Sequence, residues 1–101
     1  MHEFAGRVAA ITGAGSGIGR ALAEELAGRG AHLALADVEE VGLAETVCRC
    51  EGSGVKVTST RLDVAARDAE FAWAAAVVAD NGAVNLVVNN AGVAVAAGVE
   101  D

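Results

Sequence analysis

Proline and tyrosine are absent from this 101-residue chain, and aromatic residues make up only 3% of it. Basic residues are scarce too: 7 Lys+Arg stand against 14 Asp+Glu, a formal net charge of −7. The acidic residues are spread along the chain, so like-charge repulsion makes a polyanion such as nucleic acid a poor partner. Cysteine occurs at two positions, Cys48 and Cys50, within a stretch of helical spacing. Side chains two apart on a helix point in different directions, so this pair neither forms a natural disulfide nor clamps a metal. They read as small, mostly apolar groups on or beside a helix face. His2 and His32 have no carboxylate or cysteine cluster nearby to complete a metal site. The longest uninterrupted apolar run, Phe71 to Ala79, is far too short to span a bilayer. The start, Met1-His2-Glu3-Phe4, lacks the basic-then-apolar order of a signal peptide. No membrane partner and a cytoplasmic location are expected.

What is present is apolar and small: 53% hydrophobic residues and 13 glycines. This composition is globular, and the length suits one small domain, 1–101, whose buried fraction is modest at this size. Apolar segments and helical segments alternate. Val8 to Thr12 reads as a first strand and Gly17 to Arg29 as a first helix, with Ile18, Leu22 and Leu26 as its apolar stripe. Glu25 and Arg29 form an i,i+4 pair on the wet side, and Gly30 ends the helix. Ala31 to Ala36 is a second strand, apolar on both faces. Glu39 to Glu51 is a second helix with Leu43, Val47 and Cys50 inward. Val55 to Leu62 is a third strand whose alternation with Lys56, Thr58 and Thr60 suits a sheet edge. Arg67 to Asn81 is a third helix, with Phe71, Ala74 and Val78 expected inward, closed by Gly82. Val84 to Val88 is a fourth strand. Alternation of this kind implies a parallel sheet with helices on both faces. Right-handed crossovers then place the first two helices on one face and the third on the other. The expected fold is α/β, a Rossmann-like doubly wound parallel sheet, partial, in the order 3-2-1-4. Its switch point lies between strands 1 and 4.

The most informative stretch joins the first strand to the first helix: Thr12-Gly13-Ala14-Gly15-Ser16-Gly17-Ile18-Gly19. Glycines permit the tight turn, and they let an anion approach the unpartnered N–H groups at the positive end of the helix. A pyrophosphate suits such a turn. A P-loop would close on Lys-Ser/Thr, whereas Ile18-Gly19-Arg20-Ala21 stands here. The GxGxxG fingerprint fails as well. Started at Gly13 it ends on Ile18, and started at Gly15 it ends on Arg20. TGxxxGxG fits, as Thr12, Gly13, Gly17 and Gly19. This pattern resembles that of the short-chain dehydrogenase/reductase family, although a glycine cluster alone also suits an ordinary strand-to-helix turn.

Later residues extend the resemblance. Asp37 closes the second strand. An acidic residue there accepts hydrogen bonds from the adenosine ribose in dinucleotide folds and repels the 2′-phosphate of NADP. No basic residue stands at positions 14 to 16 or at Val38. NAD is therefore the expected cofactor; the alternative is an Asp that merely caps the second helix. Asp63-Val64 ends the third strand, where the resemblance implies residues flanking the adenine; here too the alternative is a helix-starting Asp. Asn89-Asn90-Ala91-Gly92 is similar to the family's second signature, NNAG, which lines the cofactor site and braces the sheet; an ordinary turn is the alternative. The resemblance thus implies Thr12, Gly13, Ser16, Gly17, Ile18, Gly19, Asp37, Asp63, Val64, Asn90, Ala91 and Gly92 as cofactor-binding residues.

The resemblance covers nearly the whole chain but only the first half of the family's fold. Members carry a serine and a Tyr-x-x-x-Lys pair after a fifth strand, with tyrosine as general acid/base. Here no tyrosine occurs, and the single lysine is Lys56. The expectation is an NAD-binding portion of an oxidoreductase acting on alcohol or carbonyl groups, truncated before the catalytic segment and inactive alone. A non-catalytic nucleotide-binding module and one half of a split enzyme remain as alternatives. The fourth strand, lacking a neighbour, is expected to promote self-association, marginal stability or a rearranged C-terminal end.

Overall fold

A computed structural model of the chain describes residues 4–63 and 67–89. Its elements are β1 (Val8–Thr12), α1 (Gly17–Gly28), β2 (His32–Asp37), α2 (Glu40–Glu51), β3 (Val57–Arg61), α3 (Arg67–Asn81) and β4 (Leu86–Asn89). The strands pair in parallel in the order β3-β2-β1-β4. This is the expected Rossmann-like partial sheet, with the direction of winding reversing between β1 and β4.

The period-2 alternation of strand side chains sorts the core into two layers. Ala9 and Ile11 of β1 and Leu33 and Leu35 of β2 face one way, into a cluster with Ala23, Leu26 and Ala27 of α1 and Leu43 and Cys50 of α2. Val8, Ala10, Ala34 and Ala36 face the other way, into a cluster with Trp73 and Val77 of α3. The first two helices therefore cover one face and the third covers the other. Cys50 is buried and Cys48 exposed. Burial, with the Glu24 carboxylate adding to it, pushes the Cys50 thiol pKa up. Glu25 and Arg29 pair at 2.7 Å; Arg49 pairs with Glu45 of its own helix at 2.9 Å and ties α2 to α1 by reaching Glu24 at 3.4 Å.

Two helix faces differ from their expected orientation. On α1, Ile18 is 73% exposed, and the buried set is Gly19, Ala23, Leu26 and Ala27. Small residues let the helix approach the sheet closely, so the contact stripe runs along glycine and alanine rather than along the largest side chains. On α3, Phe71 is 68% exposed, Ala74 and Val78 are also exposed, and Trp73 and Val77 are buried instead. The α3 sequence is apolar at nearly every central position, so several stripes compete. The sheet face opposite is built of Ala10, Ala34 and Ala36, and the largest side chain of the helix fills the space they leave.

β2 is displaced by one residue, to His32–Asp37, and two strands start two residues later than expected. β3 begins at Val57, so Lys56 precedes it; its N–H donates to His32 Nδ1 at 3.0 Å and its carbonyl accepts from Leu33 N at 2.8 Å. β4 begins at Leu86 because Asn85 meets Val8 with its side chain. Asn85 Oδ1 accepts from Val8 N at 2.9 Å, and Asn85 N donates to Val8 O at 2.8 Å.

Candidate functional site

Parallel strands bring their carboxyl ends to one edge of the sheet. Thr12 is in register with Ala36 of β2 and with Asn89 of β4, and Asp37 with Arg61 of β3. Thr12, Asp37, Asp63 and Asn89 therefore share one edge, where the glycine turn leaves β1. Gly13 and Gly17 hold φ of 66° and 56°, the left-handed region that L side chains avoid. Ser16 stands at the N-cap of α1 with its side chain making no capping hydrogen bond. The side chain thus leaves the first-turn N–H groups of α1 to other acceptors.

The inner side of the turn is tied down group by group. Ala14 N donates to Ala36 O at 3.1 Å. Ala14 O accepts from the Thr46 hydroxyl at 2.7 Å. Gly15 N donates to Asp37 Oδ2 at 2.8 Å. Gly15 O accepts from Arg20 Nη2 at 2.6 Å. The same Arg20 nitrogen donates to Gly42 O at 3.1 Å, and Arg20 Nε donates to Thr46 Oγ1 at 2.9 Å. A Cβ on Gly15 would lie 2.8 Å from Asp37 Oδ2 and 3.0 Å from Leu43 N, so only glycine fits there. A Cβ on Gly42 would collide with the Gly15 carbonyl oxygen. Among the described residues no buried side-chain nitrogen or oxygen lacks a partner.

Asp37 has a further bond: its Oδ1 accepts from Glu39 N at 3.0 Å. The N-cap of α2 is Glu39, whose own carboxylate accepts from Gly42 N at 3.2 Å. Asp37 is thus not the helix cap, and its carboxylate bridges the glycine turn to the β2–α2 link. On the β4 side, Thr12 Oγ1 lies 3.0 Å from Asn89 Oδ1 and donates to it, and Asn89 Nδ2 lies 3.4 Å from Glu70 Oε2. The first asparagine of the second signature is therefore joined to the first residue of the glycine signature. Asp63 is exposed just beyond β3. Val64, Asn90, Ala91 and Gly92 lie outside the described residues.

Gly15 and Asn89 stand inside the two signatures read from the sequence but carry no role of their own there, and Arg20, Gly42 and Thr46 are given none by the sequence. A glycine inside a helical stretch, Gly42, was an available signal of close backbone approach. Arg20 and Thr46 carried no such signal, since they are 26 residues apart. A hollow of about 190 Å³ bordered by Phe4, Arg7, Val8 and Asn85 lies at the amino ends of the strands, away from this edge. Among the described residues no cluster of three or more His, Cys, Asp or Glu could hold a metal, and no helix is long and apolar enough to cross a membrane.

A glycine turn at the carboxyl edge of a parallel sheet, beside the switch point, defines the Rossmann-like class of α/β folds. Comparison with known proteins identifies the family. Residues 7–101 match short chain dehydrogenase, and the chain belongs to that family. It is 57% identical over 94 residues to a Mycobacterium tuberculosis protein named as an oxidoreductase, SadH, covering 93% of this chain and 34% of that protein. It superposes on NAD+-bound xylitol dehydrogenase with a TM-score of 0.86 and 35% identity, over 90% of this chain and 35% of the other. A short chain dehydrogenase/reductase from Burkholderia phymatum in complex with NAD is 47% identical with a TM-score of 0.79, over 86% of this chain and 31% of the other. The chain spans about a third of the length of these relatives.

Proposed function

We propose that this chain is the NAD-binding portion of a short-chain dehydrogenase/reductase acting on alcohol or carbonyl groups. The observation that carries this is the Asp37 carboxylate, held against the glycine turn by Gly15 N at 2.8 Å. The residues fit a dinucleotide. The left-handed Gly13 and Gly17 shape the turn, and the uncapped start of α1 suits a pyrophosphate. Asp37 sits where ribose hydroxyls would donate to it and where a 2′-phosphate would be repelled. Thr12, Gly13, Ser16, Gly17, Ile18 and Gly19 would form the phosphate side. Asp63 and Val64 would flank the adenine, and Asn90, Ala91 and Gly92 would line the cofactor site. The exposed Ile18, Val38 and Val41, on segments next to the turn, offer apolar surface to the rings. The bound cofactor would supply hydride transfer; this chain would hold and orient it. General acid–base catalysis needs a titrating group at the substrate oxygen, and with no tyrosine in the sequence the chain alone is expected to bind without turnover. Self-association through β4 belongs to the same reading: β4 is an edge of the described sheet, with Leu86 and Val87 exposed.

Calorimetry with both cofactors tests the choice of NAD. NAD is expected to bind more tightly than NADP, and Asp37→Asn, which removes the charge while leaving one acceptor for Gly15 N, to narrow the gap. Equal affinities for the unmutated chain refute it.

A further inference from the structure

Arg20 is oddly placed. It stands in the first turn of α1, where a cation meets the positive end of the helix dipole. Its side chain does not leave the protein. It folds back under the glycine turn, donating from Nη2 to Gly15 O at 2.6 Å and Gly42 O at 3.1 Å, and from Nε to Thr46 Oγ1 at 2.9 Å. Thr46 is fully buried, and its hydroxyl donates a hydrogen bond to Ala14 O at 2.7 Å. With Ala14 N on Ala36 O and Gly15 N on Asp37 Oδ2, all four backbone polar groups of Ala14 and Gly15 are held.

These bonds have a directional consequence. In a trans peptide the carbonyl oxygen and the next N–H point in opposite directions, and no peptide bond among the described residues is cis. Drawing Gly15 O inward to the guanidinium therefore turns Ser16 N–H outward, toward the side on which the first N–H groups of α1 open. Without Arg20 the flexible Gly15–Ser16 peptide could flip and present a carbonyl oxygen, a partial negative charge, to an approaching anion. We propose that Arg20 and Thr46 are positioning residues for phosphate binding: acting as one unit from beneath the turn, they fix the Gly15–Ser16 peptide with its N–H toward the ligand. The proposal rests on the reading of this turn as a pyrophosphate site. It assigns to Arg20 a role in binding an anion that it does not touch.

The test compares a ligand that has phosphates with one that has none. Affinities of the full chain for ADP and adenosine are measured by calorimetry and by ligand-observed NMR, with thermal unfolding of each variant recorded without ligand. Arg20→Met and Thr46→Val are each expected to weaken ADP about tenfold and to leave adenosine within about twofold. The double variant is expected to be no weaker than either single change, because the two residues form one unit. Thr46→Ser keeps the hydroxyl and is expected to retain the ADP affinity. If Arg20→Met fails to fold, the comparison of Thr46→Val with Thr46→Ser decides. Unchanged ADP affinity in the folded variants, or equal loss for ADP and adenosine, overturns the proposal. An unmutated chain that binds adenosine as well as ADP overturns the pyrophosphate reading itself, and this proposal with it.

Discussion

The contact between Gly42 and the glycine turn sets up a test in which two effects of opposite sign compete. Gly42 is the third residue of α2, and alanine there gains about 1 kcal/mol of helix propensity over glycine. The added Cβ would meet Gly15 O, a backbone atom that cannot swing aside as a flexible side chain could. Either α2 moves away from the turn or the turn is displaced. Overpacking of this kind typically costs roughly 1–3 kcal/mol. Any outward shift of α2 also lengthens the Arg20 bonds to Gly42 O and Thr46 Oγ1, each bond contributing on the order of 1 kcal/mol. The clash therefore wins, and Gly42→Ala is expected to destabilise the chain by about 1–3 kcal/mol. Gly28 is the control. It is the last residue of α1, and a Cβ there meets nothing within 4 Å. Gly28→Ala is expected to stabilise by about 0.5–1 kcal/mol, through helix propensity and a less flexible unfolded chain. For a domain of this size each 1 kcal/mol shifts the melting point by about 4–8 °C, so the two variants separate clearly. Urea unfolding followed by far-ultraviolet circular dichroism reads the difference. A Gly42→Ala chain as stable as Gly28→Ala would refute the reasoning, because α2 would then have accommodated the methyl at no cost.

The two faces of α3 are separated by a pair of truncations: Trp73→Ala is expected to lose about 3 kcal/mol or more, while Phe71→Ala, at an exposed position, stays within about 0.5 kcal/mol. The reverse ranking in denaturant titrations would show that the face marked by Phe71, Ala74 and Val78 is the buried one. The exposed Leu86 and Val87 on the edge strand β4 predict a concentration-dependent rise in mass by light scattering. A strictly monomeric chain that unfolds cooperatively would show that this edge is covered.

The fold was legible because its signals are local and redundant. The limits of β1 and α3 follow from the sequence residue for residue, and the other elements differ by one or two positions. Val8 to Thr12 has no polar residue before Thr12, and Ala31 to Ala36 is interrupted only by His32, as suits strands buried on both faces of a sheet. Helix orientation was less legible. Periodicity ranks residues by hydrophobicity, but α1 packs through Gly19, Ala23 and Ala27, whose small size rather than apolar character brings the helix onto the strands. In α3 nearly every central position is apolar, so the pattern could not choose, and the alanine-lined sheet face chose Trp73 instead.

The candidate site was legible only in part, and Asp37 shows why. Sequence offers a helix cap or a ribose acceptor as alternatives for it, because neighbours along the chain do not show what reaches a side chain across the fold. A carboxylate has two oxygens and about four acceptor sites. In the fold one oxygen takes Gly15 N across 22 residues and the other takes Glu39 N, while capping of α2 passes to Glu39 itself. The same carboxylate can therefore brace the turn and still accept from a ligand. This bears directly on how the cofactor preference is tested. Asp37→Ala would remove charge, ribose acceptor and the Gly15 anchor together, so a weakened NAD affinity could come from a loosened turn alone. Asp37→Asn keeps an acceptor for Gly15 N and removes the charge, at the cost of the weaker bond from Glu39 N, because an amide has one oxygen where the carboxylate has two. If Asp37 acts through repulsion of the 2′-phosphate, the asparagine chain gains NADP affinity with little loss of thermal stability. If it acts mainly as a brace, both cofactors weaken together in the alanine chain and neither changes much in the asparagine chain.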